Sequence, residues 1–129
     1  MAIFNIYLTT TITPMMLGEH TSTITIREIS EDAFTSIIDS GDSITMAVGH
    51  ENTARLLEQK YRIKNAFGRL NLQLKDGDYV IAAVPQVRFD KAREFSTEEV
   101  TKARFRFFEG IVGTDPLRGA FGAQINQKQ

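Results

Sequence analysis

The sequence predicts a single α/β domain, a mixed β-sheet flanked by helices. Three observations carry that expectation. Ile44, Met46 and Val48 alternate with Thr45 and Ala47, the period of a strand with a buried face. Past Gly49 the period lengthens, and Ala54, Leu56, Leu57 and Tyr61 share one side of a helix opposite Glu58, Gln59 and Lys60. Strand-like and helix-like stretches then follow one another along the chain, the pattern of a layered α/β fold.

Residues 3–9, rich in β-formers, read as the first strand. Pro14 disfavours helix at Thr13, so residues 9–14 form a turn. Its threonine hydroxyls sit just past a strand end, where they can bond a phosphate or a ribose; the simpler expectation is that they satisfy their own turn. Met15, Met16 and Leu17 are expected to pack, with Gly18 closing the segment. Residues 21–26 read as a second strand with Ile24 and Ile26 on one face, and His20 before it as a surface residue. Ser30 is a plausible N-cap for a helix carrying Glu31 and Asp32 in its first turn, then Phe34, Ile37 and Ile38, ending at Gly41.

Residues 43–48 are the expected central strand, followed by the helix described above. Leu70, Leu72 and Leu74 alternate as in a strand, Lys75-Asp76-Gly77-Asp78 reads as a hairpin turn, and the apolar run at 79–84 reads as an interior return strand. Two aspartates in one short turn are too few ligands for a metal. Residues 85–95 form a charged loop with aromatics, the kind of connection that often carries function. Ser96-Thr97-Glu98-Glu99 has the spacing of a capping box and opens a short helix to about residue 103. Residues 104–112 read as the last strand, with Arg104 and Arg106 on an edge or solvent face. The domain is expected over residues 1–112; three glycines and a polar end make 113–129 an expected loose tail.

A chain of 129 residues with 42% apolar content suits one compact core. No apolar run is long enough for a bilayer, and the N-terminus lacks the basic region of a signal peptide, so no membrane association is expected. The absence of cysteine removes disulfides, thiolate zinc sites and a cysteine nucleophile, and agrees with a cytoplasmic location. A net charge of −1 argues against a grip on long nucleic acid, whose binding rests on phosphate neutralisation. A small ligand held by a few placed residues is the better expectation.

His50 is the residue best placed for chemistry. It lies between a strand's C-terminal end and a helix start, beside free N–H groups that suit an anion, phosphate above all. An ordinary histidine pKa of about 6.5 lets such a residue exchange protons near neutral pH. A histidine at a helix start is more often a plain solvent-facing residue, and position alone does not separate the two. Residues 43–74 can form a βαβ unit, and ligands gather at the C-terminal edge of such sheets. Both His50 and the threonine turn follow strands; whether they share an edge depends on strand order.

Over residues 4–112 the chain resembles the small viral ring nucleases, anti-CRISPR proteins of type III systems. The resemblance rests on Tyr7-Leu8 and the turn to Met16-Leu17, on Gly49-His50-Glu51-Asn52-Thr53, and on Gly68-Arg69 before an alternating stretch. Tyr79-Val80-Ile81, Arg88, Phe107-Phe108-Glu109 and Ile111-Val112 complete it. The Gly-His-x-x-Thr stretch in its strand–helix context is the most specific part. The resemblance implies a homodimer that binds cyclic tetra-adenylate and cuts it without metal or cofactor. Products would be linear di-adenylates ending in 2′,3′-cyclic phosphate, and destroying this second messenger would block type III CRISPR immunity from the host cytoplasm. It puts catalysis on His50 and Arg88, with Glu94 as the acidic partner unless Asp90 or neither serves. Ligand contacts would fall on Thr10, Thr13, Gly49, Thr53, Arg69 and Leu72. The family often has asparagine and serine where this chain has Thr10 and Thr13, and the loop after Arg88 is longer here. The competing class is a protein that sequesters a cyclic nucleotide without cutting it; a structural or interaction protein is the third.

Overall fold

The structure, a computed structural model, describes residues 5–17, 23–40, 43–69, 71–86 and 95–113. Its strands are β1 (Ile6–Thr9), β2 (Thr23–Ile29), β3 (Ile44–Met46), β4 (Tyr79–Pro85) and β5 (Phe105–Gly113). Its helices are α1 (Glu31–Ile38), α2 (Glu51–Tyr61) and α3 (Thr97–Lys102), with a 3₁₀ turn at Pro14–Met16. The strands form one sheet in the order β2-β5-β4-β1-β3. β1 runs parallel to both of its neighbours, while β5 is antiparallel to β2 and β4. The expected mixed sheet is therefore present, with the apolar β4 in its interior.

Local chemistry explains the helix starts. The Ser30 hydroxyl accepts the Ala33 N–H at 3.1 Å and Glu31 and Asp32 occupy the first turn, where carboxylates suit the helix dipole. The capping box of α3 is complete: Ser96 Oγ accepts from Glu99 N at 3.1 Å and Glu99 Oε1 from Ser96 N at 3.0 Å. α2 buries Ala54, Leu56 and Leu57 and ends at Arg62, whose φ of 56° closes the helix in the left-handed region.

Each face of the sheet carries its own apolar layer. On one, Leu8, Val48, Ile81 and Phe107 meet Phe34 from α1 and Ala54 and Leu57 from α2. Phe34 stacks on Phe107 at 4.3 Å between centroids, with the Tyr61 ring edge-on at 5.2 Å. On the other, Val80 and Val112 pack with Leu74, Ile12, Met16, Leu17 and Ile24. Each large side chain so buried contributes about 1.5–3 kcal/mol. One polar network enters the first layer: the Tyr79 hydroxyl donates to Glu109, which also pairs with Arg27. Burial, and then that hydrogen bond, push the Tyr79 phenol well above its ordinary range.

Four expectations change. Of the expected strand at 69–74, residues 71–74 are not a paired strand: Leu72 and Leu74 are buried as the alternation implies, but Leu74 makes only an isolated bridge to Leu17. Both edges of β4 are already taken, by β1 and β5, so no hairpin partner fits there. The turn itself survives, with Asp78 N bonded to Lys75 O at 3.0 Å, Gly77 at φ 96°, and buried Asp78 accepting from Lys75 N. The expected central strand at 43–48 is instead the last in the sheet order, and only its extension is covered, by the parallel bridge of Val48 to Phe67. That bridge closes the β–α–β unit at residues 66–68. Met15, expected to pack, is 83% exposed, while Met16 and Leu17 turn inward. The second strand runs on to Ile29, because Arg27 and Glu28 pair with Glu109 and Arg106 across the sheet. Gly18, His20, Gly41 and the 114–129 segment lie outside the described residues.

Candidate functional site at the C-terminal strand edge

Strand order decides what the sequence leaves open. Because β1 and β3 are adjacent and parallel, with Leu8 opposite Met46, both chains leave the sheet at the same edge. The Ala47 amide still bonds the Leu8 carbonyl at 2.8 Å, so the turn after β1 runs beside the run into Gly49 and His50. In that turn the Thr9 hydroxyl donates to the Thr11 carbonyl at 2.7 Å, as the simpler expectation had it. Thr10 is half-buried. Thr13 caps the 3₁₀ turn through its carbonyl, and its side chain makes no cap hydrogen bond.

His50 is the N-cap of α2, extended at φ −105° and ψ 116° and exposed to solvent. Its carbonyl accepts the first helical bond, from Ala54 N at 2.9 Å, while its imidazole makes no capping bond. The imidazole is thus not committed to holding the helix. Glu51 in the first turn pairs with Arg55 at 3.0 Å, which offsets its charge toward an anion at the helix start. Asn52 Oδ1 accepts the Thr53 N–H at 2.9 Å, and the Thr53 side chain is buried.

Residues 66–69 bring Arg69 to this edge. Glu58 Oε2 takes the Ala66 N–H at 2.9 Å, drawing the chain back from α2. Val48 N then bonds Ala66 O at 3.2 Å and Gly68 N bonds Val48 O at 3.0 Å. Phe67 stands opposite Val48, so Arg69 lies two residues past the bridge, as His50 does on the neighbouring segment. Arg69 is exposed, with its guanidinium 5.6 Å from the Phe67 ring centroid.

Strand order and the Val48–Phe67 bridge put Thr10, Gly49, His50 and Arg69 at one edge, whereas Ile12 and Met16, on either side of Thr13, pack on the second apolar face. Thr53 and Leu72 are buried beneath the surface. Arg88, Asp90 and Glu94 lie outside the described residues. β4 itself ends at this same edge, parallel to β1. Among the described residues no three His, Cys, Asp or Glu side chains gather as a metal site, and no helix is long and apolar enough to cross a membrane. Sequence reasoning missed Phe67, which reads there as part of a break before Gly68. It also missed a cleft of about 510 Å³ lined by Glu31, Lys60, Arg104 and Phe105. Its charges are largely committed: Lys60 donates to the Val100 and Thr101 carbonyls, and Glu31 accepts from the Tyr61 hydroxyl.

A small single-sheet α/β protein, with polar loops and a histidine-led helix at the C-terminal ends of parallel strands, is the class that fold and site define. Residues 2–107 match the STIV B116-like family, and the chain belongs to that family. It is 27% identical over 96 residues to the uncharacterized protein ORF116 of Acidianus filamentous virus 1, covering 74% of this chain and 82% of that protein. Its fold is similar to that of B116 of Sulfolobus turreted icosahedral virus, with a TM-score of 0.66 at 22% identity over 83% of this chain and 98% of the other. Both relatives are viral proteins.

Proposed function

We propose that this protein is a metal-independent nuclease that opens cyclic tetra-adenylate and thereby silences type III CRISPR signalling. The observation that supports it most is the shared edge: Thr10 and the His50 helix start leave the sheet together because β1 and β3 are parallel neighbours, and the Val48–Phe67 bridge carries Arg69 alongside. The resemblance set out above supplies the ligand.

The chemistry suits these side chains. In RNA the ribose 2′-oxygen can attack its own 3′-phosphate, provided it stands in line with the departing 5′-oxygen. Holding that geometry supplies much of the acceleration. The O2′–P bond forms as the P–O5′ bond breaks, and a 2′,3′-cyclic phosphate remains. The hydroxyl proton passes to water or to a loop carboxylate, Glu94 or Asp90. Protonated His50 gives its proton to the 5′-oxygen, and Arg69 and Arg88 offset the charge that builds on the phosphate. Two opposite linkages of a four-membered ring are related by a twofold axis, and so are the two copies of His50 in an isologous dimer. Cutting both yields two linear di-adenylates.

Calorimetry with the His50→Ala variant tests the binding half of this reading, because the ligand survives in it. Saturable binding of cyclic tetra-adenylate is expected; no binding would sink the proposal. Binding with no turnover by the unaltered protein would make it a sequestering protein.

A further inference from the structure

We propose that Phe67 is a positioning residue for Arg69: its ring holds the guanidinium ready for a phosphate beside His50. The inference rests on the reading of this edge as an anionic nucleotide site. Phe67 is 43% exposed, so the core does not account for a large aromatic there. The Arg69 guanidinium carbon lies 5.6 Å from its ring centroid, within the range of a cation–π contact.

The backbone beneath the pair is tied down. In an extended segment residues i and i+2 share a face, so Phe67 and Arg69 project together and Gly68 faces the other way. Gly68 N bonds the Val48 carbonyl at 3.0 Å, and a β-carbon on Gly68 would meet the Met46 carbonyl oxygen at 2.3 Å. Only glycine lets this segment lie so close to the end of β3. Among the described residues no carboxylate pairs with Arg69, and the Phe67 ring stands beside its guanidinium. A guanidinium with its face on a ring keeps its N–H edge free for two phosphate oxygens. Restricting the long arginine side chain in advance lessens what is lost on binding.

The test compares Phe67→Leu, Phe67→Tyr, Arg69→Ala and the double variant Phe67→Leu with Arg69→Ala, all in the His50→Ala background, by calorimetry with cyclic tetra-adenylate. Phe67→Leu is expected to weaken binding roughly two- to fivefold, the size of an exposed cation–π contact. Phe67→Tyr should bind like the parent, and Phe67→Leu should cost nothing further once Arg69 is alanine. Unchanged affinity in Phe67→Leu overturns the inference, as does the same loss with and without Arg69, which would mean that the ring touches the ligand itself. A parent that binds no ring overturns the site reading and the clamp with it. The contact also has a ligand-free readout. In ¹⁵N-labelled protein the Arg69 Nε–H resonance should be displaced by the ring current and return in Phe67→Leu; a resonance already at its ordinary position in the parent overturns the inference whatever the ligand does.

Discussion

Gly68 lies against the Met46 carbonyl so closely that a β-carbon there would stand 2.3 Å from the oxygen. Backbone cannot yield as a side-chain tip can, so Gly68→Ala must push residues 66–69 away from β3. The expected cost is about 1–3 kcal/mol, the usual range for overpacking. Gly49, one residue before His50, has nothing within 4 Å of the same position. Gly49→Ala should therefore change stability by no more than about 0.5 kcal/mol. Urea denaturation of the two variants checks the contrast; equal midpoints would mean that the 66–69 segment does not pack as described.

Glu109→Ala should destabilise by about 1–3 kcal/mol, because it leaves the Tyr79 hydroxyl buried without its acceptor and Arg27 without its partner. Adding Tyr79→Phe removes the orphaned hydroxyl and should recover part of the loss. An unchanged denaturation midpoint in Glu109→Ala would show that the network contributes nothing.

Much of this was legible in the sequence, and the failures have physical causes. Helix starts at Ser30 and Ser96 could be read because capping is local chemistry, settled within four residues, and the start at His50 showed in the change of period after Gly49. The β4 strand was legible because it is apolar on both faces. Residues 69–74 alternate like a strand, but alternation records burial and says nothing of an available partner edge. The rank of β3 in the sheet was hidden for the same reason: pairing is a long-range choice, and an outer strand with one buried face has the same pattern as an inner one. His50 could be singled out from its strand–glycine–helix context. That it shares an edge with the threonine turn needed the strand order. Phe67 carried no signal of its own, since a phenylalanine next to glycine reads first as core.

Arg69→Ala and Arg88→Ala, made separately, should each weaken cyclic tetra-adenylate binding by about tenfold or more, the scale of a lost charge-assisted hydrogen bond. Arg69 is exposed, so its removal should leave the thermal midpoint within a degree or two. Parent-like affinity in both variants would leave the proposed site without its cations.

The active unit is expected to be a twofold dimer with one ring across the interface. A cyclic tetranucleotide is large for one shallow edge on a 129-residue chain of net charge −1, and pairing two edges doubles the local cations. Light scattering should give twice the chain mass, and calorimetry with His50→Ala should give one ring per two chains. A monomer binding one ring per chain would refute the shared site.

The central claim is that His50 drives metal-free opening of the ring, and product analysis tests it most directly. Purified protein is incubated with cyclic tetra-adenylate in EDTA under single-turnover conditions, and the products are resolved by chromatography and mass spectrometry. The account predicts linear di-adenylates ending in 2′,3′-cyclic phosphate, and a rate lower by roughly 10²–10⁴ in His50→Ala with binding retained. Intact ring after prolonged incubation, cleavage that stops in chelator and returns with Mg²⁺, or an unchanged rate in His50→Ala would each contradict it.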